Sequence, residues 1–210
     1  TALGILLMTL NENKVTNLKI ALIGKTLQAV KRNMCDVLAK QFGEDFRYSR
    51  SQKDGFSRDA VLFNQNLLFI GVNDSNAETR YRGLSDIFCV IIDEAVLVQE
   101  ETYKLINSRI RGSFTDYQLS VFRQLGVIPC FRVLSTNPDH PEHWLKKLID
   151  SNYFDSVINW NIQDACWNGA KEYYDGLLKL YPPGSIDRLR YLEGRWVAAE
   201  GSIFTYFLEH

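Results

Sequence analysis

Two stretches of the chain, "IALI" at residues 20–23 and "IFCVII" at residues 87–92, are apolar without interruption. A strand with one wet face alternates apolar and polar residues, whereas a strand covered on both faces reads as a continuous run. Between and after these runs apolar residues repeat at helical spacing: Leu27, Val30, Met34, Leu38 and Phe42, then Val98, Thr102, Ile106 and Ile110. Continuous strands alternating with amphipathic helices predict an α/β fold, a mainly parallel sheet flanked by helices. The 210 residues, 46% of them hydrophobic, suffice for one sizeable core or one and a half. In such a sheet ligands sit beyond the carboxyl ends of the strands, so chemistry is sought there.

The remaining elements follow from the same periodicities. Leu3, Leu6, Leu7 and Leu10 form a helical stripe that "NENK" ends, and "AVLFNQNLLFIGV" reads as two strands about an Asn-Gln-Asn turn. "DSNAETRYRGLSD" reads as a polar connection and residues 112–126 as loop or a short insertion. "VIPCFRVL" and "DSVINWNI" are expected strands, "HWLKKLID" an expected helix, and two further helices are expected around 168–180 and 185–194, split by "YPPGS". With 24 basic against 25 acidic residues, contact with nucleic acid has to come from local patches, such as Arg47, Arg50, Lys53 and Arg58 around Tyr48 and Phe56. A solvated charged loop is the favoured reading of those residues. The four cysteines, Cys35, Cys89, Cys130 and Cys166, are far apart and form no C-x-x-C pair, which argues against a zinc knuckle and fits reduced thiols. No stretch approaches the roughly 20 apolar residues of a membrane span.

Several places carry possible chemistry. "LKIALIGKT" ends like a phosphate-binding loop, but the pattern G-x-x-x-x-G-K-[ST] needs glycine where Lys19 stands, and residues 20–23 hold the backbone extended. Gly24 to Thr26 is therefore read as a strand-to-helix turn with Thr26 as N-cap. "CVIIDEA" ends a buried strand in Asp93 and Glu94; one acid suits the water shell of Mg²⁺ and the other the attacking water, though the same letters fit a strand that ends in an acidic loop. "FRVLSTNPD" puts Ser135, Thr136 and Asn137 at another strand end, where an ordinary Asn-Pro turn is the alternative. Arg80 and Arg82 precede the acidic strand and suit either a finger toward a phosphoryl group or a solvated loop. His140 and His143 lack the further ligands a metal site requires.

The segments "GVNDSNAETRYRGLSDIFCVIIDEA", "LSTNPDHPEHWLKKLID" and "LEGRWVAAEGSIFTYF", in that order, resemble the large terminase subunit of tailed bacteriophages, the ATP-driven motor that packages DNA into the procapsid. The resemblance implies a P-loop NTPase fold of the ASCE type using ATP and Mg²⁺. It makes Asp93 the Walker B metal acid, Glu94 the catalytic glutamate, and Ser135, Thr136 and Asn137 the coupling motif, with Arg82 before Arg80 as arginine finger. The family's phosphate loop precedes a helix like "TALGILLMTL", which puts Thr1 at the nucleotide and the loop itself outside this sequence. Residues 1–195 would be the ATPase domain without that loop, and residues 196–210 would lead toward a nuclease domain that is not in this sequence. The chain alone would then hydrolyse ATP poorly. Implied partners are double-stranded DNA, the portal protein, the small terminase subunit and further copies in a ring on the portal, in the host cytoplasm and away from membranes. Two other readings stand beside this one: another P-loop DNA motor such as a helicase, and a non-catalytic prophage remnant or binding module.

Overall fold

In the computed structural model, which describes residues 2–49, 58–74, 77–164 and 169–198, the two uninterrupted apolar runs are neighbouring strands. β1 (Lys19–Gly24) and β5 (Ile87–Ile92) pair in parallel; β4 (Gln65–Gly71) joins β1 on its other side and β6 (Phe131–Leu134) joins β5, both again in parallel. β2 (Phe46–Tyr48) and β3 (Asp59–Leu62) extend the β4 edge antiparallel, so the six strands lie in the order β2-β3-β4-β1-β5-β6. This is the mixed α/β, mostly parallel sheet that the apolar runs predict. The chain divides into two compact units, Thr1–Ser135 and Thr136–His210, and the whole sheet belongs to the first.

Both faces of the central strands are covered, which is why they read apolar throughout. On one face Ile20, Leu22, Leu67, Phe69 and Cys89 join a single cluster with Leu7 and Leu10 of α1 (Ala2–Glu12), Val30, Cys35 and Leu38 of the helix after β1, and Phe122 of α6 (Asp116–Gln124). Ala21, Ile23, Ile70, Val90 and Ile92 alternate with these along the strands and are buried as well. Near them α4 (Ala77–Arg82) packs against β4 and against α5 (Glu100–Asn107), where Tyr103 and Ile106 are buried.

Several elements depart from the sequence expectation. The hairpin turns on Phe63 and Asn64, both left-handed (φ 49° and 58°), rather than on Asn-Gln-Asn. Two consecutive positive-φ residues match the twist of the flanking strands. Gln65 thereby enters β4 fully buried, where its Nε2 donates to Val15 O (2.6 Å) and its Oε1 accepts from Leu18 N–H (2.9 Å). The polar stretch before β5 folds into α4, and Phe46–Tyr48 forms the edge strand β2 inside what reads as a basic loop. Residues 112–126 hold α6, started by a capping box in which Gln118 N–H donates to Thr115 Oγ1 (3.2 Å) and Thr115 N–H to Gln118 Oε1 (2.9 Å). α6 delivers Phe122 to Phe88, with ring centroids 5.2 Å apart and Phe114 and Phe131 edge-on around them.

The second unit contains α7 (Trp144–Asp150) and α8 (Ala170–Leu180), both foreseen. Residues 155–161 are not a strand: no partner strand lies against them among the described residues, and Ile158 stays 86% exposed. Cys35 and Cys89 are core residues, and burial pushes both thiols up to about 12. Cys130 is half-buried, and Cys166 lies outside the described residues.

Candidate active site

The strand register brings the sequence's polar strand ends to one edge. Gly24 lies beside Gly71, Ile23 beside Ile92, and Ile92 beside Leu134, so Lys25, Val72, Asp93 and Ser135 emerge together at the carboxyl ends of the parallel strands. Backbone bonds lock the acidic exit: Asp93 N–H donates to Ile23 O (2.8 Å), Ser135 N–H to Ile92 O (2.9 Å) and Ala95 N–H to Ser135 O (2.9 Å). Both oxygens of the Asp93 carboxylate are held. Ser135 Oγ donates to Oδ1 (2.8 Å) and Asn33 Nδ2 donates to Oδ2 (2.9 Å). Glu94 follows in the left-handed region (φ 52°, ψ 52°) with its side chain exposed, and a short 3₁₀ turn, Ala95–Leu97, starts there. For a residue with a Cβ that backbone costs roughly 1–2 kcal/mol. Such strain persists where the surroundings impose it, here the bonds on either side of Glu94, and it recurs at functional sites.

Asn33 is the site residue that sequence reasoning missed. Simple helical periodicity puts Met34 on the buried stripe and Asn33 merely beside it. In the structure α2 (Leu27–Val30) passes through a π turn, Lys31–Cys35, into α3 (Asp36–Phe42), with Asp36 N–H reaching back to Lys31 O. The buried stripe becomes Leu27, Val30, Cys35, Leu38, and Met34 is only partly covered. Asn33 sits within this turn, and from there its side chain meets Asp93. No signal in the sequence marks a π turn.

The "IGKT" turn has its helix start already occupied. Thr26 is extended (φ −135°, ψ 159°) and its Oγ1 accepts from Ala29 N–H (3.1 Å), while Asp74 Oδ2 accepts from Leu27 N–H (3.2 Å). The donors that a phosphate loop would present to a nucleotide are thus taken by an internal hydroxyl and carboxylate. The chain around Asp74 is tied down further, with Val72 N–H donating to Gly24 O (2.9 Å) and Asn73 N–H to Lys25 O (3.0 Å).

The other expected residues fall as follows. Arg82 stands on the exposed side of α4 and pairs with Glu78 one turn back (2.7 Å). Arg80 is half-buried, and its Nη1 has no hydrogen-bond partner among the described residues. Thr136 and Asn137 belong to the second unit, where Thr136 Oγ1 donates to Asn137 O (2.9 Å). Thr1 lies outside the described residues, as do Arg50, Lys53 and Phe56; Arg47 is exposed and donates to Glu44 O (3.0 Å). His140 Nδ1 and His143 Nδ1 accept from the backbone N–H of Glu142 and Leu145, so those ring nitrogens serve the local fold.

Asp93 and the Ser135 hydroxyl make a hard, oxygen-rich donor set, and no cluster of three or more His, Cys, Asp or Glu side chains occurs among the described residues. That suits Mg²⁺, which takes one or two carboxylates, keeps several waters and leans on substrate phosphates, better than it suits a transition metal.

Residues 40–210 match the family model for the N-terminal part of the large terminase subunit, T4-like virus type. Among solved structures the large terminase of a thermophilic bacteriophage superposes with a TM-score of 0.63 at 20% identity, over 90% of this chain and 43% of that one. The same phage's large terminase in complex with ADP gives 0.58 at 18%, over 87% and 41%, and in complex with ATP-gamma-S 0.59 at 18%, over 87% and 40%. This chain therefore spans less than half the length of those proteins, and at that identity the likeness is one of fold. No curated protein matches the chain by sequence. The family model covers most of the chain, including the acidic end of β5 and the Ser135 strand end beside it, and the chain belongs to the large terminase subunit family.

Proposed function

We propose that this chain carries the acid-bearing part of an ATP-hydrolysis site in a DNA-packaging motor. The observation that carries the reading is the exit of β5: Asp93 fixed by neutral donors on both oxygens, with exposed Glu94 next to it in a backbone conformation that costs energy to keep. Asn33 and Ser135 are neutral donors, so they orient the Asp93 carboxylate without adding a compensating charge. Mg²⁺, when bound there with the nucleotide, would offset charge on the phosphates. Glu94, exposed beside Asp93, orients the attacking water and takes its proton. Ser135 links Asp93 to the chain that leads into Thr136 and Asn137, a route by which loss of the terminal phosphate is passed on.

Arg82 is proposed as the finger that stabilises charge on the transferring phosphoryl group. Its pair with Glu78 is exposed and worth only about 0.2–1 kcal/mol, little to break when the arginine is needed elsewhere. The nucleotide reading draws support from the ADP and ATP-gamma-S complexes of the thermophilic phage's large terminase. By family membership the wider assembly is a ring of copies on the portal in the host cytoplasm, with the small terminase subunit and double-stranded DNA as partners. Exposed basic residues such as Arg47 would meet the DNA backbone.

ATP turnover by the full gene product tests this. Glu94→Gln keeps nucleotide binding and lowers kcat by about 10²–10⁴-fold. Turnover unchanged in Glu94→Gln overturns the assignment, and nucleotide binding without any turnover in the wild type favours a non-catalytic binding module.

A further inference from the structure

We propose that Asn33 is a positioning residue for Asp93, delivered by the π turn Lys31–Cys35, and that divalent-cation affinity at the β5 exit depends on its side-chain amide. This rests on the reading of Asp93 as a metal acid.

The amide's orientation follows from its neighbours. A carboxylate only accepts, so the nitrogen must face Asp93; Arg32 Nε only donates, and it reaches Asn33 Oδ1 at 3.1 Å. Arg32, Asn33, Asp93 and Ser135 thus form one chain of donors and acceptors, all within the first unit. Asn33 is half-buried, and its bond to Asp93 spans 60 residues of sequence, so it fixes the helix after β1 to the acid at the end of β5.

The chemistry favours an amide at this place. A carboxylate has about four lone-pair sites, and Asn33 and Ser135 use one on each oxygen, leaving one on each for a cation or its waters. A lysine or arginine here would also hold Asp93, but it would neutralise the charge that attracts the cation. π turns interrupt regular helix hydrogen bonding and are frequent at functional sites. Here the turn brings a neutral donor to the charged group of the site, a role packing alone would not require. Partners of this kind behind a metal ligand typically change metal affinity by about 10–100-fold when removed.

Mn²⁺ serves as a paramagnetic probe. In the ¹⁵N-labelled chain Mn²⁺ alone should broaden the Asp93 and Ser135 amides and the Asn33 side-chain NH₂ first, and titration gives the dissociation constant. Asn33→Leu, of similar shape without donors, is expected to weaken Mn²⁺ binding about tenfold or more while keeping the wild-type spectrum elsewhere. Asn33→Gln, which keeps the amide, should recover most of the loss. Wild-type binding that is the same in Asn33→Leu overturns the inference alone. No localised Mn²⁺ broadening in the wild type overturns the metal reading, and the inference with it. If Asn33→Leu does not fold, the wild-type Asn33 NH₂ resonance decides: it should shift in Asp93→Asn, and a resonance indifferent to Asp93 refutes the tie.

Discussion

Gly71→Ala is the sharpest structural perturbation of the site's floor. Gly71 ends β4 beside Gly24, and the loop after it supplies Asp74 to the start of α2. A Cβ on Gly71 would lie 2.3 Å from the Leu27 backbone nitrogen, 2.5 Å from Asp74 Oδ2 and 2.6 Å from the Thr26 carbonyl carbon. Two of these are main-chain atoms and cannot rotate away, so the start of α2 has to separate from the end of β4. Overpacking of this kind costs about 1–3 kcal/mol. Losing the cap at Leu27 adds about 1 kcal/mol, for a total of about 2–4 kcal/mol. Urea unfolding followed by far-ultraviolet circular dichroism measures it, because all four tryptophans, at 144, 160, 167 and 196, lie in the second unit and report that unit instead. With a slope of about 2 kcal/mol/M the midpoint should fall by about 1–2 M. Gly176→Ala is the control: that glycine lies within α8 with nothing within 4 Å of its added Cβ, and alanine there should stabilise by about 1 kcal/mol. A Gly71→Ala variant within about 0.5 kcal/mol of wild type would refute the close approach of β4 and α2.

Other perturbations probe the rest of the first unit. Gln65→Leu keeps the volume but strands the Val15 carbonyl and the Leu18 N–H, each buried; at about 1–3 kcal/mol per group the loss should be about 2–6 kcal/mol, read in the same urea titration. Cys35 and Cys89 keep neutral thiols in the folded chain up to about pH 12, whereas in the unfolded chain they ionise near 9. Their contribution to stability is therefore complete below pH 9 and is lost as pH rises from 9 toward 12, and a thiol reagent at about pH 8 should leave both unmodified until the chain unfolds. Labelling of either at the rate of an exposed cysteine contradicts their burial.

Much of this arrangement is legible in the sequence because it rests on short-range pattern. The double burial of β1 and β5 forces continuous apolar runs, Thr26 announces a helix start, and the acids follow the strand that exposes them. The family resemblance then implies roles for Asp93, Glu94 and Ser135 that spacing alone leaves open. What escapes depends on tertiary contact. Asn33 meets Asp93 across 60 residues of sequence from a turn that departs from regular helical periodicity, and α4 forms from residues too polar to leave a stripe. "DSVINWNI" has strand composition, yet no partner strand lies beside it among the described residues, and at its end the Asn161 backbone pairs locally with Asp164 instead. α6 could have been found: Thr115 and Gln118 stand at capping-box spacing ahead of Val121 and Phe122.

The central claim is that hydrolysis at Asp93 and Glu94 drives DNA movement. A packaging assay with the full gene product, procapsids, small subunit and ATP, scored as DNA protected from nuclease, tests it directly. The account predicts ATP-dependent protection by the wild type, and none by Glu94→Gln despite retained nucleotide and DNA binding. Protection by Glu94→Gln at the wild-type rate would contradict it.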